Sequence, residues 1–183
     1  KIAVEVCEGQ QMDMNFETVP SVTVEQYIRM IELKTAALLG GSLQMGAITA
    51  KTSIDNIQLV DQIGRNLGIA FQLQDDYLDT FGDPQKFGKK IGGDILQNKK
   101  TFLMLSALEM AGEKLSNTNF SNPEEKIKYF TSIFEEYGIK DLTQQMMKKY
   151  KEESIKDIQK LTCSNQGKAM LIELSEILMG RET

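Results

Sequence analysis

The 183 residues predict an all-α fold. Apolar residues recur at three- and four-residue spacing along most of the chain, and no stretch alternates apolar and polar side chains as a half-buried strand would. The only prolines, Pro20, Pro84 and Pro123, fall in gaps between these helical patterns, where a missing N–H interrupts no helix. With 41% hydrophobic and 26% charged residues, the chain can bury one sizeable core, so residues 1–183 read as a single domain.

The chain opens with a short amphipathic helix from Lys1 to about Met14, ending in GQQMDM, and a polar connection from Asn15 to Val22. Thr23 and Gln26 have the spacing of a capping box and open a long helix, EQYIRMIELKTAALLGGSLQMGAI. Its apolar residues lie on most faces, which predicts burial among other helices, with Gly40, Gly41 and Gly46 allowing close approach or a kink. After a break at Lys51-Thr52-Ser53, a second long helix runs from about Ile54 to Phe81. Its apolar stripe passes through Ile57, Val60, Ile63, Leu67 and Phe71, and Gly82-Asp83-Pro84 ends it.

The following segment, QKFGKKIGGDILQNKK, reads as a loop, and Lys86, Lys89, Lys90, Lys99 and Lys100 make it the most basic place in the sequence. A shorter apolar helix is predicted from about Thr101 to Ala111. A polar loop then reaches Asn122, a helix cap with Pro123 at the first helical position and Glu124 and Glu125 in the first turn. Helices over about 124–137, 140–161 and 166–179 complete the chain.

Composition excludes several functions. A net charge of −5 with acids and lysines interspersed gives no basic stripe for nucleic acid. There is neither a signal peptide nor a long apolar run to anchor the chain in a membrane, and Cys7 and Cys163 are too few and too far apart for a disulfide framework. A reducing, cytoplasmic setting is expected. The chain contains no histidine, which removes histidine-held zinc and Ser-His or Cys-His nucleophiles, so any metal is held by oxygen. The start, Lys1-Ile2-Ala3-Val4, lacks methionine and is already in a helical pattern, as expected of a fragment of a longer protein.

Within FQLQDDYLDTFGD, the offsets of Gln72, Asp75, Asp76 and Asp79 put all four on one helical face. The location is unfavourable. A helix C-terminus carries partial negative charge, so each exposed acid there costs roughly 0.3–1 kcal/mol, and Asp75 and Asp79 repel at i,i+4 spacing. An acidic run on a helix is commonly a solvated face. The alternative is a DDxxD site for Mg²⁺, a hard cation that prefers carboxylate oxygens and keeps waters and phosphates as its other ligands. The lysine segment that follows is either a solvated loop or the cationic half of a diphosphate pocket, with Gly88, Gly92 and Gly93 permitting tight backbone paths. Gln10 and Asp13 in GQQMD are either surface groups or site residues. Lys34, beside Thr35 and amid apolar neighbours in MIELKTAALL, wants an anion.

In this order and spacing, GQQMD, LKTAALL, FQLQDDYLD, GKKIGGDI and NKKT closely resemble the C-terminal half or more of the trans-isoprenyl diphosphate synthases, the farnesyl and geranylgeranyl diphosphate synthase family. The resemblance implies an all-α, isoprenoid synthase-type bundle of long helices around a central cavity, here its C-terminal part, usually as a homodimer. FQLQDDYLD is similar to the second of the family's two aspartate-rich motifs; the first is expected upstream of Lys1. The resemblance makes Asp75 a direct Mg²⁺ ligand (with Mn²⁺ as an alternative ion), supported by Asp76 and Asp79. It makes Lys34, Lys99 and either Lys89 or Lys90 the grip on an allylic diphosphate, sets Gln10 and Asp13 near the metals, and turns Thr35 and Gln72 toward a developing allylic cation. The implied activity is Mg²⁺-dependent condensation of dimethylallyl, geranyl or farnesyl diphosphate with isopentenyl diphosphate. A class I terpene cyclase, a non-catalytic synthase subunit and a helical interaction protein remain alternatives.

Overall fold

The computed structural model describes residues 1–83, 91–115 and 119–180, and among these the regular structure is entirely helical. In chain order the helices are α1 (Ile2–Phe16), α2 (Val24–Ile31), a π-helical turn (Glu32–Ala36), α3 (Ala37–Thr49), α4 (Ile54–Phe81), α5 (Gly93–Leu96), α6 (Phe102–Leu115), α7 (Pro123–Glu136), α8 (Ile139–Lys160) and α9 (Asn165–Met179). None is long and apolar enough to cross a membrane.

Local signals set the helix starts. Thr23 forms both halves of its capping box with Gln26, Ser53 accepts from the Asn56 amide, and Asn122 accepts from Glu125 with Pro123 at the first position. Each such cap is worth about 1 kcal/mol. Gly138, at φ +66°, turns the chain from α7 into α8, a left-handed conformation that side chains other than glycine resist. The end of α8 is pinned by Asn56, whose side-chain amide exchanges two 3.0 Å hydrogen bonds with the backbone of Thr162.

Helix α4 is the axis of the molecule. It packs against α3 on one side and α8 on the other, and Val60, Ile63, Leu67, Ala70, Leu73, Tyr77 and Leu78 are buried along it. Ile57 and Phe71 of the predicted stripe are only half-buried. One apolar cluster joins Val60, Ile63 and Leu67 to Ile158 and Leu161 of α8 and its end. A second joins Tyr27, Met30 and Ile31 of α2 to Ile69, Leu73, Phe102 and Leu105. The third, around Leu103, Phe130, Phe134 and Ile139, closes the far end.

The long helix expected after Thr23 is continuous in direction but not in type. Its irregularity lies at Glu32–Ala36; of the three glycines, Gly40 and Gly41 mark close approaches, to Asp61 and Ile2, whereas Gly46 meets nothing within 4 Å of a built Cβ. The turn itself is approached closely from both sides. A Cβ on Gly9 of α1 would stand 2.3 Å from the Lys34 amide nitrogen, and one on Gly68 of α4 would stand 2.4 Å from the Ala36 Cα. The turn is thus clamped between two backbones. Arg65 reinforces it from α4, bridging Glu5 at 2.7 Å, Asp61 at 2.9 Å and Glu32 at 3.7 Å.

Three further expectations change. Burial of the Glu25–Ile48 helix on most faces is incomplete, since Leu38, Met45 and Ile48 stand more than half exposed on α3. The lysine segment is not all loop: Gly92, at φ +82°, starts the short helix α5. Helix α6 also runs four residues past Ala111, which carries the non-helical φ −130°.

Replacing Gly68 by alanine removes a flexible residue from a helix interior, which alone favours folding by roughly 1 kcal/mol. The collision with the Ala36 backbone costs more, about 1–3 kcal/mol. Urea denaturation of Gly68→Ala is therefore expected to show net destabilisation, and equal or higher stability would contradict the close crossing.

Candidate active site

A cavity of about 420 Å³ opens between α2, the π turn, the C-terminal half of α4 and the segment from Gly93 to Thr101. Met30 and Ile31 give it apolar lining, and Asp13, Lys34, Gln72, Asp75, Asp76, Asp79, Asp94, Lys99 and Lys100 give it charged and polar lining. The 0, 3, 4, 7 face of α4 therefore lines a concavity.

Asp75, Asp76 and Asp79, near the C-terminus of α4, are not equivalent. Asp75 and Asp79 are half-buried, whereas Asp76 is 6% exposed and turned toward α2. One Asp76 oxygen accepts from the Tyr27 hydroxyl and the other from Gln72 Nε2 at 3.1 Å. Gln72 Oε1 in turn accepts from Thr35 Oγ1 at 2.9 Å. Thr35 thus touches the site through Gln72. Asp79 Oδ2 accepts from the Asp94 amide at 2.9 Å, and the Asp79 carbonyl accepts from the Gly92 amide at 2.6 Å, so α5 docks on the end of α4 by backbone.

The π turn aims Lys34 into the cavity, where its ammonium meets Asp13 of α1 at 2.5 Å. Asp13 arrives there because α1 crosses the turn at Gly9, one helical turn earlier. Lys99 pairs with Asp94 at 2.7 Å. Ion pairs this exposed are worth at most about 1 kcal/mol, so both lysines can exchange a carboxylate for a better anion. Lys100 is engaged differently. Its ammonium donates to the carbonyls of Phe16 and Val19 at and just past the end of α1, where cations are favoured by the helix dipole. Gln10 is exposed and does not line the cavity. Lys89 and Lys90 lie outside the described residues.

Tyr27 and Asp94 are site residues that the motifs alone do not assign. An acid inside the most basic segment was the available signal for Asp94. For Tyr27 there was only a tyrosine on an apolar helix face, which is usually packing.

Charge is unbalanced here. Five carboxyl groups (Asp13, Asp75, Asp76, Asp79, Asp94) face three ammonium groups among the lining residues. Burial, with Asp94 and Asp75 adding repulsion, pushes the Asp76 carboxyl from 3.8 up to about 7, against the hydrogen bonds from Tyr27 and Gln72. Partial burial also raises Asp79, while its bonded Asp94 partner holds Lys99 above the ordinary lysine value. Burial first, and then the Asp76 charge, push the Tyr27 hydroxyl well above its usual value, so it remains a donor.

The oxygen donors suit a hard divalent cation. Among the described residues no three His, Cys, Asp or Glu side chains form a ready metal cage. Mg²⁺ does not require one, since it is commonly held by one or two carboxylates with phosphates and waters completing the octahedron. Asp75 and Asp79 line the cavity and are the candidates for that role.

Because the fold raises the Asp76 value above that of the open chain, the fold binds the proton more tightly. Its contribution to stability is fully present below about pH 3.8 and is lost as pH rises through about 7. In metal-free protein, Asp76→Asn should gain stability relative to wild type as pH rises from about 5 to about 7, by up to roughly 1.4 kcal/mol per pH unit. Urea denaturation across pH checks this; a pH-independent difference would contradict the buried carboxyl.

Residues 1–137 match the family model described as Polyprenyl synthetase. The chain is 42% identical over 139 residues to the short chain isoprenyl diphosphate synthase of Methanothermobacter thermautotrophicus, covering 74% of this chain and 43% of that protein. It is 36% identical over 166 residues to the geranylgeranyl diphosphate synthase of Saccharolobus solfataricus, covering 87% and 50%. A crystal structure of a geranylgeranyl pyrophosphate synthase superposes with a TM-score of 0.90 at 42% identity, over 100% of this chain and 59% of that one. The Corynebacterium glutamicum enzyme complexed with isoprenyl diphosphate and magnesium gives 0.88 at 29% identity, over 99% and 53%. The chain spans about half the length of the curated relatives it matches. On the family match and these identities, the chain belongs to the polyprenyl synthetase family.

Proposed function

We propose that the intact protein is a prenyltransferase that joins an allylic diphosphate (dimethylallyl, geranyl or farnesyl) to isopentenyl diphosphate, head to tail, releasing pyrophosphate. Residues 1–183 supply one wall of its active site as the C-terminal part of a larger domain. The observation that carries this reading is the convergence of Asp75, Asp79, Lys34 and Lys99 on one cavity that also has apolar lining. That combination suits a ligand with a highly charged head and a hydrocarbon tail. The relatives named as isoprenyl and geranylgeranyl diphosphate synthases support it.

Asp75 and Asp79 would hold Mg²⁺, which supplies charge neutralisation of the departing pyrophosphate. Lys34 and Lys99 exchange Asp13 and Asp94 for phosphate oxygens and stabilise the same leaving group, the kind of preorganised electrostatic help that dominates such reactions. Gln72 presents its side-chain dipole to the developing allylic cation and Thr35 orients it through their hydrogen bond, while Met30 and Ile31 keep water from it. The isopentenyl double bond attacks the cation and the new cation loses a proton. The released pyrophosphate is the proposed acceptor of that proton. Either Lys89 or Lys90 is the further lysine of this grip, whereas Gln10, exposed and away from the cavity, takes no part in it. Two exposed free thiols, Cys7 and Cys163, support a reducing, cytoplasmic setting, and a homodimer is the proposed assembly.

Incubating intact protein with an allylic diphosphate and radiolabelled isopentenyl diphosphate should give an extractable product that EDTA abolishes. Absence of any EDTA-sensitive product would refute the reading. Asp75→Ala should lower turnover on the order of 100-fold or more, with an unchanged helical circular dichroism spectrum. Wild-type turnover in that variant would remove Asp75 from the site.

A further inference from the structure

The geometry points to Tyr27 as a positioning residue that fixes the carboxylates of α4 by holding Asp76 as a buried strut. The inference rests on the prenyltransferase reading above and adds to it Tyr27 and the contact through which Asp76 acts.

Tyr27 is 2% exposed, and its ring is packed in the cluster of Met30, Ile31, Leu73, Phe102 and Leu105, so the hydroxyl cannot swing away. It donates across the α2–α4 contact to one Asp76 oxygen, and Gln72 donates to the other. With both oxygens engaged and no room to turn, Asp76 is a poor candidate for direct metal ligation. It is well placed to fix the rotation of α4 instead. Asp75 precedes it and Asp79 follows three residues later, so holding Asp76 inward directs the other two carboxylates to the cavity. The bond from Thr35 to Gln72 at 2.9 Å extends the same chain to the π turn that carries Lys34. One hydrogen-bonded series therefore sets metal-facing carboxylates and a phosphate-facing lysine in register.

Packing alone does not account for this pair. An apolar pair of similar volume would join α2 and α4 without a charge to desolvate, commonly at equal or greater stability. A buried phenol on a buried carboxylate is explained by what it holds in place.

The test compares intact wild type, Tyr27→Phe, Asp75→Asn and Asp76→Asn by calorimetric titration of Mg²⁺ in the presence of inorganic pyrophosphate, with steady-state turnover alongside. Partners that orient metal ligands typically contribute 10–100-fold in metal affinity. Tyr27→Phe should therefore weaken Mg²⁺ binding by about tenfold or more and raise the Mg²⁺ concentration for half-maximal turnover in parallel, with KM for the allylic diphosphate at saturating Mg²⁺ little changed. A variant with lowered urea stability but wild-type Mg²⁺ affinity would overturn the inference while leaving the prenyltransferase reading intact. Asp76→Asn keeps an acceptor for Tyr27 and should lose less than Asp75→Asn by about tenfold, and equal losses at the two positions would overturn the strut. That comparison stands even where Tyr27→Phe does not fold. No Mg²⁺ binding and no product from wild type would overturn both readings together.

Discussion

The carboxyl group of Asp76 accepts a hydrogen bond on each oxygen, from Tyr27 and from Gln72, in the packed contact between α2 and α4. Burying a carboxylate without partners costs several kcal/mol. Two donors offset part of that, and the remainder is visible in the carboxyl's rise to about 7. This constraint propagates outward. With Asp76 held against α2, its neighbours Asp75 and Asp79 line the same cavity, and Gln72 accepts from Thr35 through its side-chain carbonyl. The π turn then sits with Lys34 facing Asp13, between backbones that approach at Gly9 and Gly68.

The charge balance of the cavity has its own consequence. Among the described residues its lining holds more carboxyl than ammonium groups, so a bare polyphosphate would meet net repulsion at close range and low dielectric. Divalent cations arriving with the phosphate reverse the sign. On the proposed function, cations that accompany the ligand offset the excess of acid at this unfavourable helix end. The same excess explains why Lys34 and Lys99 are each paired with an acid: the carboxylate partners keep them in place at little energetic cost to exchange.

Much of the fold was legible because it is encoded by near neighbours in sequence. The Thr23–Gln26 box, the Asn122-Pro123 start and the Val60–Ile63–Leu67 stripe are local patterns, and each gives its helix. The π turn was not, because Glu32–Ala36 lies against Gly9 and Gly68, one upstream and one downstream, and no local pattern records those contacts. The site divides in the same way. Spacing placed Gln72, Asp75, Asp76 and Asp79 on one face, but adjacent positions differ by about 100° around a helix. Which of two neighbouring aspartates faces inward depends on where α2 packs, and that lies in no local motif. Tyr27 was invisible for the same reason, since its role exists only across a contact 49 residues apart in sequence.

The most direct measurement of this arrangement is anomalous diffraction from crystals of intact protein grown with Mn²⁺ and inorganic pyrophosphate. The expected result is an Mn²⁺ peak at coordination distance, about 2.1 Å, from the Asp75 carboxylate, bridged to pyrophosphate near Lys34 and Lys99, with Asp76 still bonded to Tyr27 and Gln72. Direct coordination of Mn²⁺ by Asp76 with its bond to Tyr27 broken, or no metal in the cavity, would contradict it.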